Sequence, residues 1–310
     1  MSARVLLGGP STTVQDLGRR AQRDGVPESG AMDAHAARLA NLLVGNPEDA
    51  AVLETTLAGP ALVFLRATSV ALGGADFGAS IDGEPLAPWH SVPVREGSTL
   101  TLGRASGGCR ACIAIAGGID VPIVLGSRST FVPGKFGGFE GRALRAGDIL
   151  PLGVAHTTGR RALAPTTRPS YQHAIRLIAG EHLDALDAQS RDALFGDGLR
   201  VSARSDRMGY RLEGTALRLR APLEVISTAV AFGTLQSTPS GEPVLLMADH
   251  QTTGGYPMLG HVATVDLGAV AQLRPGDPIR FTRVSLDDAQ RLYLERERSL
   301  DALRRALSFT

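Results

Sequence analysis

Lysine is all but missing from this chain. Of its 32 basic residues one is Lys135, and the other 31 are arginine. Covalent attachment of biotin or lipoate needs an acceptor lysine, and Lys135, set in PGKFGG, lacks the methionine neighbours of a biotin acceptor. A P-loop needs G-x-x-x-x-G-K-[ST]. Here Ser129 stands at the first glycine position and Phe136 follows the lysine. The chain thus reads as carrying neither its own biotin nor a P-loop. Cysteine is almost as scarce, with Cys109 and Cys112 alone. CRACIAIAGG reads as a strand, which turns side chains three apart to opposite faces. No further cysteine and no nearby histidine completes a zinc tetrad. Net charge is +1, which removes the electrostatic case for nucleic acid or an anionic membrane surface. No apolar run approaches the length of a spanning helix, and MSARVLLGGPSTTVQD has too short an apolar run for a secretory leader. These absences read as a cytoplasmic protein with no membrane and no nucleic-acid partner. The seven histidines are dispersed. No HExxH, Ser-His-Asp order or dinucleotide glycine fingerprint stands in a suitable context, so no metal site is expected.

What is present points to a chain rich in strands. Thirty-seven glycines and 18 prolines punctuate short apolar runs, the pattern of a mainly β protein with a few helices. At 310 residues the chain suits two domains. Strands are predicted over 61–65, 69–73, 91–95, 99–102, 111–116 and 149–152, with a hairpin at Asp82-Gly83. The stretch GVAHTTGRRALAPTTRP (153–169) lacks an apolar period and reads as a linker. It separates a domain over 1–155 from a second over 170–285, followed by a helix over 286–310. LRAGDIL (144–150) echoes LRPGDPI (273–279), each closing a β unit. Asp33 is placed to cap a helix reaching Val44, with His35, Arg38 and Asn41 on a solvated face. A second short helix is predicted from Pro47 to about Leu53, and a longer one from Glu181 to Phe195.

One stretch gathers the most chemistry: QSTPSGEPVLLMADHQTTGGYP, from Gln236 to Pro257. Its apolar run Val244–Ala248 reads as a buried strand. The strand delivers Asp249, His250, Gln251 and Thr252 into Gly254-Gly255, which permits positive φ and lets a ligand approach the backbone closely. SDRMGYRLEG (205–214) adds Asp206, Arg207 and Tyr210 within five residues. TTVQDLGR (12–19) places Asp16 beside Gly18 and Arg19. Ser29 lies just before the first helix, where backbone N–H groups hold anions. Lys135, alone among glycines, has the setting of a carboxylate or phosphate contact.

These blocks, with GVPESGAMD (25–33), RLANLLVGNPEDAAVLE (38–54), AGGIDVP (116–122) and GSRST (126–130), resemble the KipA-like biotin-dependent carboxyltransferase family. That family includes C subunits of bacterial 5-oxoprolinase and proteins called allophanate hydrolase subunit 2. The resemblance implies two cyclophilin-like β-barrel domains. It implies a KipI-like B subunit and a LamB/YcsF-like A subunit as partners. It also implies ATP-driven opening of 5-oxo-L-proline to L-glutamate, with ATP and Mg²⁺ acting at the level of the complex. On that reading Arg207, Gln236, Ser240, Gln251, Thr252 and the Gly254 and Gly255 amides are candidate donors to carboxylate and phosphoryl oxygens. Ser29 and Lys135 are further substrate contacts. Asp249 or Asp16 would hold Mg²⁺ or act as base, and Tyr210 would orient the substrate. His250 departs from the arginine common at its position. An alternative is the carboxyltransferase half of a urea or amide carboxylase, with biotin on a separate carrier. Another is a regulator that binds a KipI-like protein.

Overall fold

Short apolar runs bounded by glycine and proline fold as strands along most of the chain. The computed structural model describes residues 2–154, 158–171 and 174–308. Two units divide it. Met1–Arg20, Ser29–Pro169 and Ala302–Thr310 form the first, and Ala21–Glu28 with Ser170–Asp301 form the second.

The first unit contains β1 (Ser2–Leu7), β2 (Thr12–Gln15), α1 (Ala34–Leu43), β3 (Val52–Thr56), β4 (Ala61–Phe64), β5 (Thr68–Asp76), β6 (Ser80–Ile81), β7 (Glu84–Pro85), β8 (His90–Val94), β9 (Thr99–Thr101), β10 (Gly107–Ile115), β11 (Ile149–Pro151) and β12 (Arg161–Ala162). They build two six-stranded sheets, ordered β11-β1-β4-β9-β6-β7 and β12-β8-β5-β10-β3-β2. Leu53, Leu62, Phe64, Val70, Leu72, Leu100, Ile113 and Ile115 meet in one apolar core. Each such side chain, fully buried, contributes roughly 1.5–3 kcal/mol. The hairpin falls where Asp-Gly asks for it, with Asp82 at φ 51° and Gly83 at φ 90°, as a two-residue turn with both central φ positive requires.

Helix α1 lies over β5 and β10. A Cβ at Gly73 of β5 would stand 2.5 Å from the carbonyl oxygen of Ala36, so this sheet position takes glycine because a helix backbone crosses it. Asp33 caps α1, its carboxylate accepting from Ala36 N at 3.0 Å. The face expected to be solvated is not. Asn41 is fully buried, donating to the carbonyls of Glu48 and Ala50 and accepting from Asn46 Nδ2. The helix predicted from Pro47 is instead a turn leading into β3, whose VLETT favours an extended chain. The expected linker over 153–169 falls within the first unit: β12 pairs with β8, and Thr158 N donates to Ser69 Oγ. Its residues 155–157 lie outside the described ones.

The second unit contains β13 (Ala174–Ala179), α2 (Ala188–Leu194), β14 (Leu199–Val201), β15 (Gly209–Glu213), β16 (Thr228–Ala229), β17 (Thr234–Ser237), β18 (Pro243–Leu246), β19 (Thr253–Gly254), β20 (Met258–Val262), α3 (Leu267–Ala271) and β21 (Pro278–Val284); α4 (Leu286–Ser308) belongs to it up to Asp301 and to the first unit from Ala302. Seven strands close into a barrel, ordered β13-β20-β17-β18-β15-β14-β21. Closure leaves that sheet no edge, and only the β13–β21 pair is parallel. The helix predicted over 181–195 is broken. A single 3-10 turn, Leu183–Ala185, ends at extended Leu186, and Asp187 then caps α2 by accepting from Ser190 N at 2.7 Å. The long C-terminal helix forms as expected. Leu300 is buried on it, and Arg304 reaches Glu48. Among the described residues, no helix is long and apolar enough to cross a membrane.

Candidate functional site

In the second unit the site grows from the pairing of β15, β17 and β18. Tyr210 lies opposite Leu245 and Arg211 opposite Val244 on β18, while Leu235 and Gln236 of β17 face Leu245 and Val244 from the other side. Strand alternation turns Tyr210 and Leu212 into the barrel, where both are buried. Gly209 and Arg211 line an open hollow of about 370 Å³ together with Gln236, Gln251, Asp206 and Tyr256. Tyr210 therefore belongs to the barrel interior and not to this wall.

The strand predicted over Val244–Ala248 ends at Leu246, and Asp249 sits in the turn that follows. There it meets Arg207. Nε donates to Oδ2 at 2.9 Å and Nη2 to Oδ1 at 3.2 Å, while Asp249 N donates to the Arg207 carbonyl at 2.8 Å. Two segments about 40 residues apart in sequence are thus locked by a charge-assisted fork and a backbone bond. Asp206 closes the adjoining turn, its Oδ1 accepting from Met208 N and Gly209 N.

At Gly254 and Gly255 the space a side chain would fill is taken by the chain's own side chains. Neither adopts a positive φ. A Cβ on Gly254 would lie 2.7 Å from Gln236 Nε2, and one on Gly255 would lie 3.0 Å from Ser227 Oγ. Gln236 is buried and donates to the Tyr256 carbonyl at 3.3 Å. Thr252 gives its carbonyl to Val230 N, and Ser240 is exposed in the turn before β18, bonded to Thr238 Oγ1. Of the residues predicted from sequence, this hollow gathers Gln236 and Gln251. The Arg207–Asp249 pair, Thr252 and Ser240 are not on its wall. Sequence reasoning missed Arg204, Arg211 and Glu242. Arg204 and Arg211 both pair with Glu242, a long-range meeting with no local signal beyond the alternation that sets Arg211 two residues after Gly209.

His250 is buried, with its Nδ1 against the Gln251 carbonyl. Burial pushes its pKa below 6.5, outweighing the Gln251 carbonyl and the Asp249 charge, which favour the proton. Burial acts on His261 in the same direction. His250 is therefore a neutral ring in the folded chain and not the fixed cation that arginine would supply. Unfolding frees rings that take up protons at the ordinary value. The contribution is thus fully present above about pH 6.5 and lost as pH falls below it through the folded-state values. Denaturant titration at pH 8 and at pH 5 is expected to show a lower midpoint at pH 5. His250→Gln should narrow that gap, and an unchanged gap would contradict the assignment.

The remaining predicted residues lie in the first unit. Asp16 Oδ1 accepts from Gly18 N at 2.8 Å, Ser127 Oγ at 2.6 Å and Ser129 Oγ at 2.5 Å, and Oδ2 accepts from Arg128 N at 2.5 Å. It ties TTVQDLGR to GSRST. Buried Arg19 donates to the Ser129 carbonyl and lies over the Phe136 ring, 4.9 Å from its centroid. Ser29, at φ 56°, is buried, and its Oγ has no hydrogen-bond partner among the described residues. Lys135, at φ 55°, is exposed and lines a second hollow of about 470 Å³ with Phe136 and Phe139. Both oxygens of Asp16 are taken by N–H or O–H donors and both of Asp249 by Arg207, which does not suit the binding of a cation. Among the described residues, no three His, Cys, Asp or Glu side chains gather as a possible metal site.

The fold and these motifs have clear counterparts. Residues 24–283 match the model of the carboxyltransferase domain, subdomain A and B, and the chain belongs to that family. It is 38% identical over 295 residues to the 5-oxoprolinase C subunit of Haemophilus influenzae, covering 94% of each chain. It is 37% identical over 301 residues to the Escherichia coli protein of the same name, covering 97% of each. Among solved structures, the Kluyveromyces lactis urea amidolyase aligns with a TM-score of 0.91 at 33% identity over 97% of this chain, which spans 20% of that enzyme.

Proposed function

We propose that this chain is the C subunit of an ATP-dependent 5-oxoprolinase, acting with a LamB/YcsF-like A subunit and a KipI-like B subunit to open 5-oxo-L-proline to L-glutamate. The observation that carries this reading is similarity. The chain is 37% to 38% identical to the two C subunits, against 33% to the urea amidolyase.

The chemistry fits the residues. A lactam carbonyl is a poor electrophile, and ATP supplies the activation that makes attack by water feasible. This chain's part is to bind and orient. Gln236 and Gln251 offer amide groups in the hollow, and the Arg207–Asp249 pair holds the signature turn in place. Asp16, saturated by donors, serves as the anchor of its loop in the first unit. Side chains held by such second contacts are what a productive site requires.

A second reading, supported by the TM-score of 0.91, is the carboxyltransferase half of a urea or amide carboxylase fed by a carrier-borne biotin. One experiment separates the two. The chain is co-expressed with the products of its neighbouring genes and supplied with ATP, 5-oxoproline, urea and labelled bicarbonate. The 5-oxoprolinase reading expects glutamate and no fixed label. Label fixed on urea without glutamate would replace it with the second, and neither product, with only a KipI-like protein retained, would favour a regulator.

A further inference from the structure

Resting on that reading, we propose that the hollow walled by β15, β17 and β18 holds the carboxylate of a small lactam acid, with Arg211 as its anchor. Arg211 stands on a barrel strand, its backbone fixed by pairing with Val244. Its Nη1 donates to Glu242 Oε2 at 2.7 Å, and among the described residues its Nε and Nη2 make no hydrogen bond. Glu242 is itself held, its backbone N–H donating to Thr238 Oγ1 at 3.1 Å and its Oε1 accepting from Arg204. Two guanidinium groups therefore share one carboxylate. The pinned Arg211 keeps the edge of its fork that a second carboxylate takes in bidentate fashion.

The other charged groups on the wall are Arg204, held on Glu242, and Asp206, whose Oδ1 is committed to the N–H groups of Met208 and Gly209. Gln236 and Gln251 complete the polar lining, with donors and acceptors suited to a lactam N–H and C=O. Val244 and Leu246 supply apolar surface for ring methylenes. A volume of about 370 Å³ lies at the small end of the roughly 300–1,000 Å³ of ligand pockets. Urea has no carboxylate and would leave the Arg211 fork unused.

The test uses the full-length chain, alone and co-purified with the subunits encoded beside it. Each preparation is titrated with 5-oxo-L-proline and with 2-pyrrolidinone, the same lactam without its carboxylate. The wild-type chain is expected to bind the acid about tenfold to a hundredfold more tightly. Arg211→Gln should abolish that preference, and Arg211→Lys should restore part of it, with circular dichroism verifying that each variant folds. Equal affinity of the wild type for both lactams, no binding of the acid in either preparation, or an undiminished preference in Arg211→Gln would overturn the proposal. Its failure is separable from failure of the parent reading. A complex carrying Arg211→Gln that releases glutamate at an unchanged KM removes the anchor and keeps the reaction. A wild-type complex that binds the acid through Arg211 but releases no glutamate with ATP does the reverse.

Discussion

Arg207→Ala is expected to lower the stability of the chain by about 3 kcal/mol and to abolish most activity of the assembled enzyme. The arithmetic follows from burial. The Arg207 and Asp249 side chains are 14% and 3% exposed, so removing the guanidinium leaves a carboxylate in the interior without its counter-charge. That turn carries His250 and Gln251 into place, and its loosening reaches the hollow through Gln251. Arg207→Met combined with Asp249→Leu should recover most of the stability, because two apolar side chains leave no charge uncompensated. It should not recover activity if the pair also fixes the turn's geometry. Urea titration of the single and double variants measures the coupling. An Arg207→Ala chain with wild-type midpoint and wild-type turnover would remove the pair from the site.

Asp16→Ala is expected to be comparably damaging in the other unit. It strips the acceptor from Gly18 N, Ser127 Oγ, Ser129 Oγ and Arg128 N together. Hydrogen bonds to a charged group contribute about 1.5–3 kcal/mol each, though such a network is not additive. A loss of about 3 kcal/mol is therefore a modest expectation. Asp16→Asn keeps part of the accepting capacity and should fall between. Hydrogen exchange at residues 127–130 reads the effect locally. Those amides should lose protection in Asp16→Ala ahead of the β-sheet core, and unchanged protection would contradict the anchoring role.

Local chemistry was legible in the sequence, and long-range chemistry was not. Asp33 announced its cap, Asp82-Gly83 its hairpin and the apolar run after Pro243 its strand, because each signal lies within four residues of its consequence. Asp187, three residues before Ser190, carries an equally local capping signal. That signal splits the helix that periodicity alone extends from Glu181. At Pro47 the β-branched Val52, Thr55 and Thr56 argued for the strand that forms. Asn41 misled for another reason. A polar residue on a helix face reads as solvated unless its partners are known, and here they are carbonyls at Glu48 and Ala50 reached across a turn. The pairing of Arg204 and Arg211 with Glu242 spans more than 30 residues, and no spacing rule reaches so far. The two motifs that carry Arg207 and Asp249 named both residues without saying that they bind each other.

The most direct measurement follows carbon-labelled 5-oxo-L-proline by NMR in the reconstituted three-subunit mixture, with and without this chain and with and without ATP. Labelled glutamate is expected only where chain, partners and nucleotide are all present. Glutamate at an equal rate when the chain is left out, or none when everything is supplied, would contradict the assignment of this protein to the ring-opening enzyme.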